Sequence, residues 1–163
     1  YPKINDLMKI GSDLPVCINQ KTQHMKGFGE VLEEINTFPK LPILLVNPLI
    51  EISTKTVFRM LKNKKNLPLS KYEMLFQAKK DWINWLLLQR NDLIEPAVTA
   101  EPVISEVLRL ISKQISVEKV SMSGSGATCF GIFENKHDCD LAMKRVRLER
   151  PDWWSVSTEI ISI

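Results

Sequence analysis

The sequence has 163 residues, of which 44% are hydrophobic and 25% are charged, and its formal net charge is +3. This length suits one domain with a proper core better than two, and no apolar run approaches the length that spans a bilayer. The mild positive charge falls well short of the basic field that argues for nucleic acid. We therefore expect a globular, soluble protein that binds neither membranes nor nucleic acids.

The cysteines and histidines argue against several classes of site. Cys17, Cys129 and Cys139 show no C-x-x-C spacing, so they support neither a disulfide framework nor a zinc site. The two histidines, His24 and His137, lie far apart without a metal-ligand pattern, which makes a zinc hydrolase or a histidine-centred triad a poor fit. We predict a protein of the reducing cytoplasm with no metal-ligand cluster.

The first part of the chain is predicted to contain small elements only. Residues 4–10 are typical of a helix end stopped by Gly11, and residues 16–19 and 23–26 are predicted as two short strands. Two prolines within 36–42 mark the one plausible domain boundary.

The remainder combines helices with a few strands. In chain order, the predicted elements are a strand at 41–48, a helix at 54–63 with Ser53 as N-cap, a helix at 71–89, a polar loop with a proline stop or a short helical turn at 90–98, a helix at 102–112, strands at 118–122 and 129–133, a helix at 135–149 and a strand at 153–163. The apolar stripes of the helices are typical of a core. This order fits an α+β fold in which helices pack on one face of a small antiparallel sheet.

The loop between the strands at 118–122 and 129–133 has an unusual composition, because Ser123, Gly124, Ser125 and Gly126 follow one another. Glycines allow close approach of the backbone to a ligand, and successive N–H groups in such a turn can hold an anion such as phosphate. An ordinary hairpin turn or bulge explains the same residues equally well. The chain contains neither a P-loop nor a dinucleotide-binding glycine motif.

A second short stretch, GSDLP, places Asp13 in a tight turn between Gly11 and Pro15. Taken alone, this aspartate is typical of a turn residue. A functional role for Asp13 is indicated only when several sequence blocks are considered together.

Five blocks follow one another: GSDLP, GFGE, VNPLIEISTKTVF, NDLIEPA and MSGSGATCFGIF. Together they resemble the GHMP kinase superfamily and, within it, the kinases of 4-diphosphocytidyl-2-C-methyl-D-erythritol, which serve the non-mevalonate route to isoprenoid precursors. The first block reads G-A-D-V-P in the family, so Ser12 and Leu14 are mild departures. The resemblance implies a ferredoxin-like C-terminal domain, an ATP-dependent kinase activity assisted by Mg²⁺ and a cytidine diphosphate substrate.

The resemblance also implies roles for individual residues. Asp13 matches the catalytic aspartate, which would act as base for the 2-hydroxyl of the erythritol, and residues 123–126 match the glycine loop that faces the phosphates. Phe58 matches an aromatic residue that stacks on cytosine, although its neighbours Val57 and Leu61 also fit a core role. Thr54 falls near the site in the family. The block with Asn91 and Asp92 is expected to be structural, capping adjacent helices.

Two family motifs that precede the aspartate turn do not occur: a basic first motif and a glycine-rich ATP loop. We therefore expect Tyr1 to be an internal cut, residues 1–36 to be the tail end of an ATP-binding domain, and residues 37–163 to be the C-terminal substrate domain. The chain alone is then expected to be inactive without its N-terminal half.

Three alternatives remain open at this point. The substrate could be that of another GHMP kinase, such as a homoserine or mevalonate-type kinase, although the helix with Phe58 argues against it. The chain could be a non-catalytic remnant that only binds substrate or a partner. An RNA-binding module could use the lysines between Lys62 and Lys71, but a solvated surface explains them better.

Overall fold

The computed structural model describes residues 4–19, 21–63, 65–70, 76 and 78–160. Its contacts divide the chain after Lys40 into two compact units. The described elements of the first unit are α1 (Ile4–Ile10), α2 (Leu14–Asn19), β1 (Gln23–Lys26) and β2 (Val31–Glu34). No described helix in either unit is both long and apolar enough to cross a bilayer.

The prediction of a strand at 16–19 is wrong, because these residues belong to α2. Pro15 lies in the first turn of that helix, where a missing N–H group removes no helical hydrogen bond. The N–H of Cys17 donates to the carbonyl of Asp13 at 3.1 Å, so the helical bonding begins at the aspartate.

The predicted strand at 23–26 is confirmed, but its partner differs from the prediction. It pairs in antiparallel register with β2, so that Gln23 lies opposite Glu34 and Lys26 opposite Val31. The turn between the two strands uses Gly27 at φ +67° and Gly29 at φ +111°, which are backbone angles that other residues rarely adopt.

The second unit, Leu41–Ile160, contains the larger set of elements. Its strands are β3 (Leu41–Asn47), β4 (Val117–Met122), β5 (Cys129–Phe133) and β6 (Trp154–Ile160), and its helices are α3 (Thr54–Met60), α4 (Lys79–Leu87), α5 (Ile94–Ala100), α6 (Val103–Ser112) and α7 (Lys136–Glu149). The strands form one antiparallel sheet in the order β4-β5-β3-β6. With α6 and α7 as its crossover helices, this is the ferredoxin-like arrangement. The predicted α+β class is confirmed.

The core lies between this sheet and the helices α6 and α7. Its fully buried side chains include Leu44 and Val46 of β3, Val107 of α6 and Val146 of α7. Helix α6 approaches β5 so closely that a Cβ on Gly131 would lie 2.6 Å from the side chain of Ile111. Helix α4 instead contacts the edge strand β4, where the Lys119 ammonium donates to the carbonyls of Leu87 and Gln89.

Three helix predictions for this unit need correction. Helix α3 ends at Met60 because Leu61 is extended, so the predicted extension to residue 63 is wrong. The helix predicted at 71–89 is observed at Lys79–Leu87, and residues 71–75 lie outside the described residues. The segment at 90–98, predicted as a polar loop with a proline stop or a short helical turn, contains the start of α5, so the helical alternative is right and the proline stop is wrong, because Pro96 lies in the first helical turn.

Candidate functional site

The loop Ser123–Gly126 is the turn that joins β4 to β5, so the plain hairpin interpretation is right about its topology. It is closed by two backbone hydrogen bonds, from the Ser123 N–H to the Thr128 carbonyl at 2.9 Å and from the Gly126 N–H to the Ser123 carbonyl at 3.0 Å. Gly124 and Gly126 both have positive φ. Within the described part of the chain, the N–H groups of Gly124 and Ser125 have no acceptor, so the turn leaves two donors available.

Thr54 and Ser125, predicted separately as site residues, lie in contact. Their hydroxyl oxygens are 2.9 Å apart and share a hydrogen bond, although 71 positions separate them in the sequence. Ser53 fixes the start of α3 as the predicted N-cap, because its hydroxyl accepts from the Thr56 N–H at 3.3 Å. The sheet turn and the first residue of α3 therefore form one surface.

Phe58 lies one helical turn beyond Thr54 on the same face of α3, because residues four apart are neighbours on a helix. Its side chain is 52% exposed, whereas the adjacent Val57 is completely buried. The exposed ring favours a binding role over the core role that the sequence left open.

Two asparagines that the sequence did not connect with the loop form hydrogen bonds to the loop or to residues beside it. The Asn47 amide donates to the Thr128 hydroxyl at 2.9 Å, and the Asn91 amide donates to the carbonyls of Met122 and Gly124, each at 2.8 Å. The Asn91 side-chain oxygen accepts from the Leu93 N–H at 2.9 Å. Leu93 is the N-cap of α5, so this bond forms a turn just before the helix and does not cap its first turn. The sequence signal at these positions is that Asn47 precedes a proline and Asn91 precedes an aspartate. Such pairs indicate a local turn and not a contact with a distant loop.

Asp13 belongs to the first unit, where it immediately precedes α2. Its carboxylate accepts from the Ser12 hydroxyl at 3.1 Å and is exposed to solvent. The turn is tightly packed on its backbone side, because a Cβ on Gly29 would lie 2.3 Å from the Ser12 carbonyl oxygen. This geometry fits a turn residue and leaves the carboxylate accessible, so its catalytic role stays a prediction.

Of the lysines between Lys62 and Lys71, the structure describes Lys62 and Lys65, and the ammonium group of Lys62 has a protein partner. Lys62 pairs with Glu95 at 2.6 Å, and this carboxylate raises the pKa of the exposed Lys62 ammonium. Lys79 donates to the Glu134 carbonyl. Lys64 and Lys71 lie outside the described residues. The pairing favours the interpretation as a solvated surface.

An open cavity of about 550 Å³ lies between the end of α3, the segment that follows it and α5. It includes Asn91 but none of the residues of the glycine loop. Four of its polar side chains are paired with each other, since Asn66 donates to Asp92 at 2.7 Å and Lys62 binds Glu95. We assign no site to this cavity.

The resemblance implies Mg²⁺, which proteins usually bind through one or two carboxylates together with substrate phosphates. Among the residues that the structure describes, no three His, Cys, Asp or Glu side chains cluster closely enough to hold a metal ion.

Comparison with known proteins gives the family. The sequence profile described as "GHMP kinases C terminal" matches residues 76–149. These residues are a GHMP kinase C-terminal region. The region contains α4 to α7, β4, β5 and the glycine loop between the two strands, so the resemblance predicted from the sequence is confirmed.

Curated relatives extend the match to nearly the whole chain. A 4-diphosphocytidyl-2-C-methyl-D-erythritol kinase of Dinoroseobacter shibae is 41% identical over 94% of this chain and 54% of its own length. Proteins of the same name from Roseobacter denitrificans and Ruegeria pomeroyi are 34% and 36% identical, over 94% and 98% of this chain. This chain spans 52% and 58% of those two proteins, which is about half of their length.

Two solved structures share the fold. The crystal structure of a 4-(cytidine 5'-diphospho)-2C-methyl-D-erythritol kinase superposes with a TM-score of 0.71 at 21% identity, covering 93% of this chain and 54% of that one. The homoserine kinase of Cytophaga hutchinsonii superposes with a TM-score of 0.61 at 14% identity, covering 91% and 50%. At these identities the likeness of this chain to the two solved structures concerns the fold alone.

Proposed function

We propose that this chain is the substrate-binding part of an ATP-dependent kinase that phosphorylates the 2-hydroxyl of 4-diphosphocytidyl-2-C-methyl-D-erythritol. The observation that carries the proposal is the hydrogen bond between Thr54 and Ser125. It joins a turn with two available N–H donors to the helix that presents the exposed ring of Phe58. A nucleoside diphosphate needs both features, because its base offers a face for stacking and its phosphates need hydrogen-bond donors.

The named residues would then divide the work. The N–H groups of Gly124 and Ser125 and the Ser125 hydroxyl donate to phosphate oxygens, and Phe58 stacks on the cytosine. Asp13 receives the proton of the attacking hydroxyl, a role that rests on the resemblance. ATP supplies the phosphoryl group, and we expect most of its binding site in the part of the relatives that this chain does not span.

The names of the sequence relatives support this substrate over that of homoserine kinase. The relatives described above carry the name 4-diphosphocytidyl-2-C-methyl-D-erythritol kinase at 34–41% identity, whereas the homoserine kinase described above shares the fold at 14% identity. The exposed Phe58 supports the same choice, because homoserine has no aromatic base to stack. A chain that only binds substrate is the second candidate, and it shares the binding surface.

The binding half of the proposal is tested by calorimetric titration of the chain with cytidine 5'-diphosphate. Phe58→Ala is expected to weaken binding by about 1–3 kcal/mol, the contribution of a base stacked on an aromatic ring. The matched control is Phe28→Ala, since Phe28 is 86% exposed and lies in the first unit. Equal affinities of the Phe58→Ala variant and the wild-type chain would remove the stacking role.

The test of the catalytic half of the proposal also uses the part of the relatives that this chain does not span. The chain is assayed for ATP-dependent phosphorylation of 4-diphosphocytidyl-2-C-methyl-D-erythritol, alone and mixed with the N-terminal half of the Dinoroseobacter shibae relative. We expect activity in the mixture only, and its loss with Asp13→Asn. A mixture that is folded and associated but inactive would leave the binding candidate in place of the enzyme.

A further inference from the structure

Asn91 occupies an unusual position relative to the glycine loop. Its side-chain nitrogen lies 2.8 Å from the carbonyl oxygens of both Met122 and Gly124, which flank Ser123 on either side. An amide nitrogen carries two hydrogens, so each carbonyl receives one of them. The orientation of the amide is fixed in turn, because its oxygen accepts from the Leu93 N–H at 2.9 Å.

Gly124 is the residue of the loop that packing controls least. A Cβ placed on it would meet no heavy atom within 4 Å, and its φ is +53°. Glycine reaches both signs of φ readily, so a peptide group beside it turns easily. The carbonyl of Gly124 is bonded to Asn91, and this bond opposes such a rotation.

The direction of these carbonyls matters for any anion. A carbonyl oxygen carries partial negative charge and repels phosphate, whereas an N–H group attracts it. While Asn91 binds the carbonyls of residues 122 and 124, neither oxygen is free to turn toward an anion at the N–H groups of Gly124 and Ser125.

We propose that Asn91 is a positioning residue that holds the carbonyls of the glycine loop away from the bound phosphate. The role rests on the proposed function in one respect only, namely that the anion is a phosphate of the cytidine substrate. The same side chain bonds to the Leu93 N–H just before α5 and orients the loop.

The sharpest variant is Asn91→Asp, because it keeps the oxygen that accepts from Leu93 and removes both donors to the loop. The matched control is Asn47→Asp, which removes the 2.9 Å bond to the Thr128 hydroxyl but releases no loop carbonyl. Asn91→Ala provides a neutral variant that separates the loss of the donors from the added charge, and it replaces Asn91→Asp if that protein does not fold.

The first measurement is amide hydrogen exchange of the full chain without ligand. In Asn91→Asp and Asn91→Ala we expect the protection of the Gly126 N–H, which bonds to the Ser123 carbonyl, to fall at least tenfold. Amides within α6 should keep their protection, which separates a change in the loop from a change in overall stability. Unchanged protection at Gly126 in both folded variants would overturn the proposal.

The second measurement is the affinity for cytidine 5'-diphosphate. Both Asn91 variants are expected to bind at least tenfold more weakly than wild type, and Asn47→Asp to bind within about threefold of it, since roughly 1.4 kcal/mol separates tenfold steps in affinity. Equal losses at Asn47 and Asn91 would refute the carbonyl role. If the wild-type chain does not bind the nucleotide although the exchange result holds, the proposed function fails and the positioning of the loop by Asn91 stands.

Discussion

The two compact units differ in the interactions that stabilise them. In the second unit, Leu44, Val107 and Val146 come from distant parts of the chain and are completely buried together. In the described part of the first unit, buried side chains are few, and Ile10 and Phe28 are 80% and 86% exposed. The second unit therefore has a hydrophobic core of its own, whereas the first relies mainly on local hydrogen bonds and ion pairs.

The same contrast separates the candidate residues of the second unit from Asp13 of the first unit. The glycine loop belongs to the second unit and is bonded to Thr54 of α3 and to Asn91 before α5, while Asn47 bonds to Thr128 just after the loop. Asp13 belongs to the first unit and is bonded to its neighbours Ser12 and Cys17. The function of the loop can be argued from its geometry, while that of Asp13 depends on resemblance.

The largest expected effect tests where the stability resides. Leu44→Ala in the second unit should lower the free energy of unfolding by about 3 kcal/mol, because it removes a completely buried side chain. Met25→Ala in the first unit, where the side chain is 42% exposed, should change it by less than about 0.5 kcal/mol. Urea denaturation followed by tryptophan fluorescence measures both. Similar losses would contradict the difference between the units.

A smaller effect distinguishes the two glycines of the loop. A Cβ on Gly126 would lie 2.9 Å from the Met122 sulfur, at a φ of +95°, so Gly126→Ala should destabilise the protein by about 2 kcal/mol through crowding and backbone strain. A Cβ on Gly124 would meet no heavy atom within 4 Å, so Gly124→Ala should lower the stability only through its positive φ, by about 1 kcal/mol. Thermal or urea unfolding ranks the two variants. The reverse ranking would mean that the loop is not packed as described.

Elements with local signals were predicted well from the sequence. Ser53 accepts a hydrogen bond at the start of α3 as an N-cap should, and α7 starts at Lys136, one residue after the predicted beginning, with Asn135 as its N-cap. The strands of the ferredoxin-like sheet were found from their apolar runs. Two prolines misled the prediction, because Pro15 and Pro96 lie in first helical turns, where proline is tolerated, and a proline by itself does not tell a helix start from a stop.

The contacts that assemble the site could not be predicted in the same way. The bond between Thr54 and Ser125 joins residues 71 positions apart, and that between Asn91 and Gly124 joins residues 33 apart. Such pairs leave no periodicity in the sequence. The family resemblance indicated which residues are candidates for the site. The structure shows that Thr54 and Asn91 both contact the glycine loop.

The smallest effect concerns acid and compares one carboxylate from each unit. Hydrogen bonds from Asn135 and Ser116 lower the pKa of Asp138 in the second unit, and bonds from Lys21 and Asn19 lower the pKa of Glu34 in the first. A lowered pKa in the folded state means that the unfolded chain takes up the proton first, so the stabilisation is complete above the ordinary carboxyl pKa and is lost as the pH falls below it.

Asp138→Asn should therefore flatten the loss of stability between about pH 5 and pH 3, measured by urea unfolding at each pH. Glu34→Gln should leave this slope unchanged, because a locally held hairpin contributes little to the global transition of the second unit. An equal flattening by Glu34→Gln would show that the hairpin unfolds together with the core, and the first unit would then owe its structure to more than its own local contacts.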